Sequence, residues 1–219
     1  VVILGRRASP FEPEHAPDFH RPELPTKVVA HVAIFFLLYV GGEVGFSGWI
    51  HTYAEDQGMS GSNPAFVTAI FWASFALARL VAIPLSKIFK PLTIVGWACA
   101  LSLVGLIIMI AGDASTSSIW FGTALFGFAS GPQYPTMIAM VDEKLSLSAQ
   151  ATAWIVGAAA IGGLIVPVSI GALIDTVGST SMPIVVLGVC GLGLAWVFVV
   201  ARSINRASAT HRTSALRPL

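Results

Sequence analysis

Charge is what this sequence has least of. Of its 219 residues only 11% are Asp, Glu, Lys or Arg, while 55% are hydrophobic. A soluble domain carries about 25% charged residues. A chain this apolar has too little polar surface to face water, so its solvent is lipid. A formal net charge of +1 supplies no field that would draw a nucleic acid. The only cysteines, Cys99 and Cys190, each lie inside a long apolar run. Two lone thiols so placed make neither a disulfide framework nor a zinc site, and are expected as small buried hydrophobes. No glycosylation sequon occurs, because Asn63 is followed by Pro64. The chain starts at Val1, and no signal-peptide pattern precedes the first apolar run. The expectation is the downstream part of a longer protein.

What is abundant is long apolar sequence. Crossing the hydrocarbon takes about 20 apolar residues as a helix. Six runs qualify: residues 28–54, 64–86, 91–111, 117–141, 149–174 and 183–201. Helices are required, because an open sheet leaves backbone groups unpaired in lipid, and the runs are too uniform for barrel strands, which alternate over about ten residues. The expected fold class is therefore an all-α membrane protein of six transmembrane helices, multi-pass and dissolved in the lipid bilayer.

Basic residues are missing from three of the five loops, 55–63, 112–116 and 175–182. The opposite side holds Arg6, Arg7, Arg21, Lys27, Lys87, Lys90, Lys144, Arg202, Arg206, Arg212 and Arg217. The positive-inside rule then places both termini in the cytoplasm. Residues 1–26, with five prolines, read as a flexible cytoplasmic linker. Residues 27–202 form the transmembrane domain, and the polar, basic tail 203–219 is expected to be disordered and held at the anionic leaflet.

The six spans fall into two triplets. Gly41 and Gly45 in the first span match Gly127 and Gly131 in the fourth as small-xxx-small pairs. Pro84 near the end of the second span matches Pro167 in the fifth. Three helices reverse direction, so the two triplets are inverted repeats, the organisation found within each half of many transporters. On this plan spans one, two, four and five surround a cavity and spans three and six lie outermost.

Chemistry is sparse, which makes it conspicuous. Glu43 lies near the middle of span one, in YVGGEVGFSGW (residues 39–49). A carboxylate there costs about 2.5–3.5 kcal/mol even on the lenient insertion scale, so it should face a cavity or partner. It is a candidate acceptor for a substrate hydroxyl or a ligand for a coupling Na+ or H+; an interior Glu held by neighbouring hydroxyls is the structural alternative. In span four, GFASGPQYPTM (residues 127–137) carries Pro132 and Pro135, which free carbonyls one turn back. Gln133 between them suits a polyhydroxyl ligand, or instead bonds those carbonyls. Tyr39 shares a face with Glu43, and Phe126 with Gln133, as candidate stacking surfaces or as packing. Both Glu43 and Gln133 are expected to point to an open apolar face. Arg79, about two turns from the cytoplasmic end of span two, is a candidate clamp on cytoplasmic helix ends, or an anchoring arginine. No catalytic group, metal site or resident cofactor is expected.

Three segments together resemble the major facilitator superfamily, and within it the branch of the fucose permease and the sodium-dependent glucose transporters. YVGGEVGFSGWIHTYA (39–54) looks like that branch's seventh helix, FWASFALARLVAIPLSKIFKP (71–91) like its eighth helix and following loop, and GFASGPQYPTMIAMVDEK (127–144) with QATAWIVGAAAIGG (150–163) like its tenth and eleventh. The resemblance covers about residues 27–202. It implies the C-terminal half of a twelve-helix secondary transporter that moves a small polar solute, most readily a hexose-type sugar, by alternating access. It also implies an N-terminal six-helix half as partner and residence in the plasma membrane. Ala78 stands where the branch carries Gly, and Ser86 and Lys87 stand where the loop motif has an acid, so the usual partner of Arg79 is absent. A transport-inactive receptor or scaffold and a dimerising half-transporter are alternatives. A rhomboid-like protease is disfavoured. The only intramembrane histidines, His31 and His51, lie on the same helix as Ser47 of its GxSG-like motif, so no second helix offers a base.

Overall fold

The computed structural model describes residues 26–145 and 147–215, and all of its regular structure there is helical. The helices are α1 (Thr26–Asp56), α2 (Asn63–Leu85), α3 (Pro91–Ala111), α4 (Thr116–Ser130), α5 (Gln133–Leu145), α6 (Ala149–Val177) and α7 (Ser181–Ala215). Their starts follow local chemistry. Pro91 opens α3, where its missing N–H costs nothing. The Ser115 and Ser148 side chains accept hydrogen bonds from the Ser118 and Ala151 amides at the heads of α4 and α6. Gly178, at φ 101°, ends α6 in a conformation that a side chain would strain.

Five helices, α1, α2, α3, α6 and α7, are long and apolar enough to cross a membrane. The expected fourth span is divided instead. Helix α4 ends at Ser130 and α5 starts at Gln133, because Pro132 and Pro135 cannot donate to the carbonyls of Phe128 and Gly131.

Packing repeats between the triplets. Helix α1 packs on α6 and α7, while α4 packs on α2 and α3, and α3 meets α7. Exchanging the triplets maps these pairs onto one another. The glycine pairs follow it. A Cβ on Gly41 would lie 2.7 Å from Val166, and one on Gly45 would lie 2.9 Å from Ile170, both in α6. Cβ atoms on Gly127 and Gly131 would strike the Phe71 and Phe75 carbonyls of α2.

Two expectations are corrected. Helix α7 runs to Ala215, so residues 203–215 are not a disordered tail: Ile204 and Ala207 are buried with Val28 and Val200, and alanine and arginine favour helix. The linker 1–26 lies outside the described residues except for Thr26, which opens α1; residues 216–219 also lie outside them. Spans three and six are not simply outermost. They meet each other behind the broken helix and contribute Cys99, Ser102 and Cys190 to an interior pocket.

Candidate functional site

The break between α4 and α5 is the polar centre of the bundle. Three successive carbonyls there receive side-chain donors. Gln133 Nε2 donates to the Ala129 oxygen at 3.2 Å. The Tyr39 hydroxyl donates to the Ser130 oxygen at 3.0 Å. Arg79 Nε donates to the Gly131 oxygen at 3.2 Å, the carbonyl that Pro135 leaves without its helical partner. The Arg79 guanidinium also stacks over the Phe75 ring, 4.3 Å from its centroid, and has no ion pair among the described residues. Donors from α1, α2 and α5 thus converge on one turn of backbone that an intact helix would have satisfied by itself.

Gln133 is spent inward. It is 5% exposed. Its Nε2 also donates to Ser102 Oγ at 3.0 Å, and its Oε1 accepts from the Cys99 thiol at 3.2 Å. It therefore does not point to an open face: Cys99 and Ser102 on α3 are small enough to let that helix approach and polar enough to bond the amide. Phe126 is also enclosed, tilted against Phe46 at 4.4 Å and stacked with Phe71 at 6.1 Å between ring centroids. Tyr39 is buried, with its ring beside Phe35 and Tyr134.

Glu43 alone of the four candidate binding residues is half-buried rather than enclosed. Its carboxyl lies against the Tyr39 hydroxyl one turn away. The Tyr39 hydroxyl thus stands between the Ser130 carbonyl and the Glu43 carboxyl, with one proton for the two acceptors. Behind Glu43 lies a cavity of about 10 Å³ lined by Tyr39, Glu43, Cys99, Ser102, Gln133 and Cys190. That is room for about one water and far below the roughly 300 Å³ of a small-molecule site. Any larger ligand of Glu43 must sit on its outer side.

Sequence reasoning missed two contacts. Trp49 Nε1 donates to the Pro167 carbonyl at 2.8 Å, its ring lying where a Cβ on Gly171 would be. The destination of Arg79 was missed too, although a proline four residues beyond Gly131 marks that carbonyl as free. Ser47 bonds the Val44 carbonyl and His51 pairs with Glu55 at 3.5 Å, so each is engaged with a different partner.

Two matching triplets of membrane-length helices, with one span broken around a polar cluster, define an inverted-repeat helical membrane protein of the kind that builds secondary transporters. The profile of the Major Facilitator Superfamily matches residues 32–218, and the chain belongs to that family. It is 29% identical over 141 residues to sodium-dependent glucose transporter 1A of Mus musculus, covering 64% of this chain and 33% of that protein. It is 29% identical over 190 residues to major facilitator superfamily domain-containing protein 4A of Xenopus tropicalis, covering 82% and 36%. It is 25% identical over 159 residues to sodium-dependent glucose transporter 1 of Homo sapiens, covering 72% and 31%. The chain spans about a third of the length of these relatives. Two of these relatives are named as transporters.

Proposed function

We propose that this chain is the second six-helix half of a twelve-helix secondary transporter that carries a small polar solute, a hexose-type sugar, by alternating access. The observation that carries this reading is the half-buried Glu43 set against a helix break whose carbonyls are held by Tyr39, Gln133 and Arg79. Glu43 meets the solute or its coupling cation, Na+ or H+. Tyr39 and Gln133 act behind it by fixing the broken turn, and Phe126 walls the site. Arg79 holds the break to α2 and releases it as the cytoplasmic ends move. A sugar does not fit the 10 Å³ cavity, so its site is completed by the N-terminal half. The names of the glucose-transporting relatives support the sugar, and their greater length supports the missing half. Both termini lie in the cytoplasm, and the membrane is the plasma membrane.

The test is uptake of labelled hexoses by the complete protein in sealed vesicles, with sodium and proton gradients imposed separately. Gradient-dependent accumulation of a hexose is expected. Absence of uptake for every hexose under every gradient would remove the sugar assignment.

A further inference from the structure

On the opposite side of the broken span from Glu43's pocket, a second cavity of about 320 Å³ opens between the end of α2, α3 and the α4–α5 break. Leu85, Phe89, Thr93, Trp97, Leu101 and Pro132 are among the residues that line it. From Thr93 to Leu101 it runs about 12 Å along α3 at 1.5 Å per residue. Its lining offers a polar solute almost nothing to bond, and Trp97 is exposed on it. An apolar groove this size is filled by hydrocarbon in a bilayer.

Charge next to the lining residues narrows the occupant. Lys87 and Lys90 alternate with the lining residues Leu85, Phe89 and Thr93 in the α2–α3 loop, and both are exposed. No Asp or Glu occurs between Asp56 and Asp113. Neither lysine is within ion-pair distance of Asp142 or Glu143 at the end of α5. Two unpaired cations over an apolar slot match an anionic head above an acyl chain.

We propose that this groove seats an anionic phospholipid, with one acyl chain against Trp97, Leu101 and Pro132 and the phosphate between Lys87 and Lys90. The chain then packs on the outer side of the turn whose inner carbonyls Gln133 and Tyr39 hold. The leaflet carrying this lipid stands against one face of the break and Glu43 against the other.

Trp97 makes the groove observable. The complete protein is reconstituted in phosphatidylcholine vesicles containing a minor fraction of lipid brominated on the acyl chain, either phosphatidylglycerol or phosphatidylcholine. The Trp97 signal is isolated as the difference between wild type and Trp97→Phe. The brominated anionic lipid should quench this signal with an apparent affinity on the order of tenfold above the zwitterionic one, from two lysines at a charged head. Lys87→Gln with Lys90→Gln should abolish the preference, and Lys87→Arg with Lys90→Arg should keep it. Equal quenching by the two lipids, or a preference surviving the double Gln variant, would overturn the site. Stronger quenching by a brominated sterol than by either phospholipid would overturn the occupant. None of these readings depends on transport, so they stand or fall apart from the proposed function.

Discussion

Gln133 is surrounded by its own partners, whereas Glu43 is half-buried beside Tyr39, and substitution should separate the two. Gln133→Leu removes hydrogen bonds to Ser102, Ala129 and Cys99 and leaves buried groups unpaired. Each such loss costs about 1–3 kcal/mol in water-soluble proteins and roughly 0.6 kcal/mol within membranes. A loss of about 1–2 kcal/mol is expected, read as a lowered thermal midpoint in mild detergent, while Ser203→Ala, whose hydroxyl bonds only the Val200 carbonyl of its own helix, should leave the midpoint near wild type. Glu43→Gln keeps shape and acceptor oxygen but removes charge. It should leave the midpoint near wild type and damage transport. If Glu43 binds the coupling cation, gradient-driven accumulation disappears and exchange survives. If it accepts a solute hydroxyl, apparent affinity falls by about 1.5–3 kcal/mol, one charge-assisted hydrogen bond. Wild-type affinity, rate and ion dependence in this variant would make Glu43 structural.

At the scale of the helix, the break and the glycine seams carry the expectations. Pro135→Ala restores an N–H in range of the Gly131 carbonyl and competes with Arg79 for it. Arg79→Gln alone should therefore destabilise the break, and the same change in a Pro135→Ala background should cost markedly less. A double-mutant cycle on thermal midpoints measures this coupling, and additive effects would show that Arg79 acts elsewhere. The α1–α6 seam is tighter. A Cβ on Gly162 would be driven into the Leu37 backbone carbonyl, whereas one on Gly157 in the same helix meets open space. Gly162→Ala should cost about 1–3 kcal/mol by overpacking, and Gly157→Ala should be neutral or slightly stabilising because alanine favours helix. Equal midpoints for the two would contradict the seam.

Across the whole molecule, orientation is the feature that charge alone should decide. Ser60 and Lys87 are both exposed, in the loops on either side of α2. With Cys99 and Cys190 replaced, Ser60→Cys in whole cells should react with a membrane-impermeant thiol reagent, and Lys87→Cys should react only after the cells are opened. The reverse pattern would invert the topology. The protein limited to these 219 residues should show no uptake, since half-buried Glu43 then lacks the surface opposite it; robust transport by this chain would favour a dimeric half-transporter.

What local sequence determined here is whatever depends on the solvent and on backbone chemistry. Lipid demands long apolar helices, and the six runs agree with the helices to within a few residues at most ends. Two missing N–H groups at Pro132 and Pro135 mark the break, and glycine pairs four apart mark where helices approach. The tail to Ala215 was misread because its polar composition hid a packed stripe at Ile204 and Ala207. Tertiary structure decided which side chains meet. Tyr39 reaches Ser130 across 91 residues, Trp49 reaches Pro167 across 118, and Arg79 reaches Gly131 across 52. The rotation and height of each helix against its neighbours set these pairings. That register comes from the summed fit of glycine seams and aromatic rings over whole helices, not from any short motif. The same register turned Gln133 inward onto Cys99 and Ser102, and left Glu43 the candidate still open to a ligand.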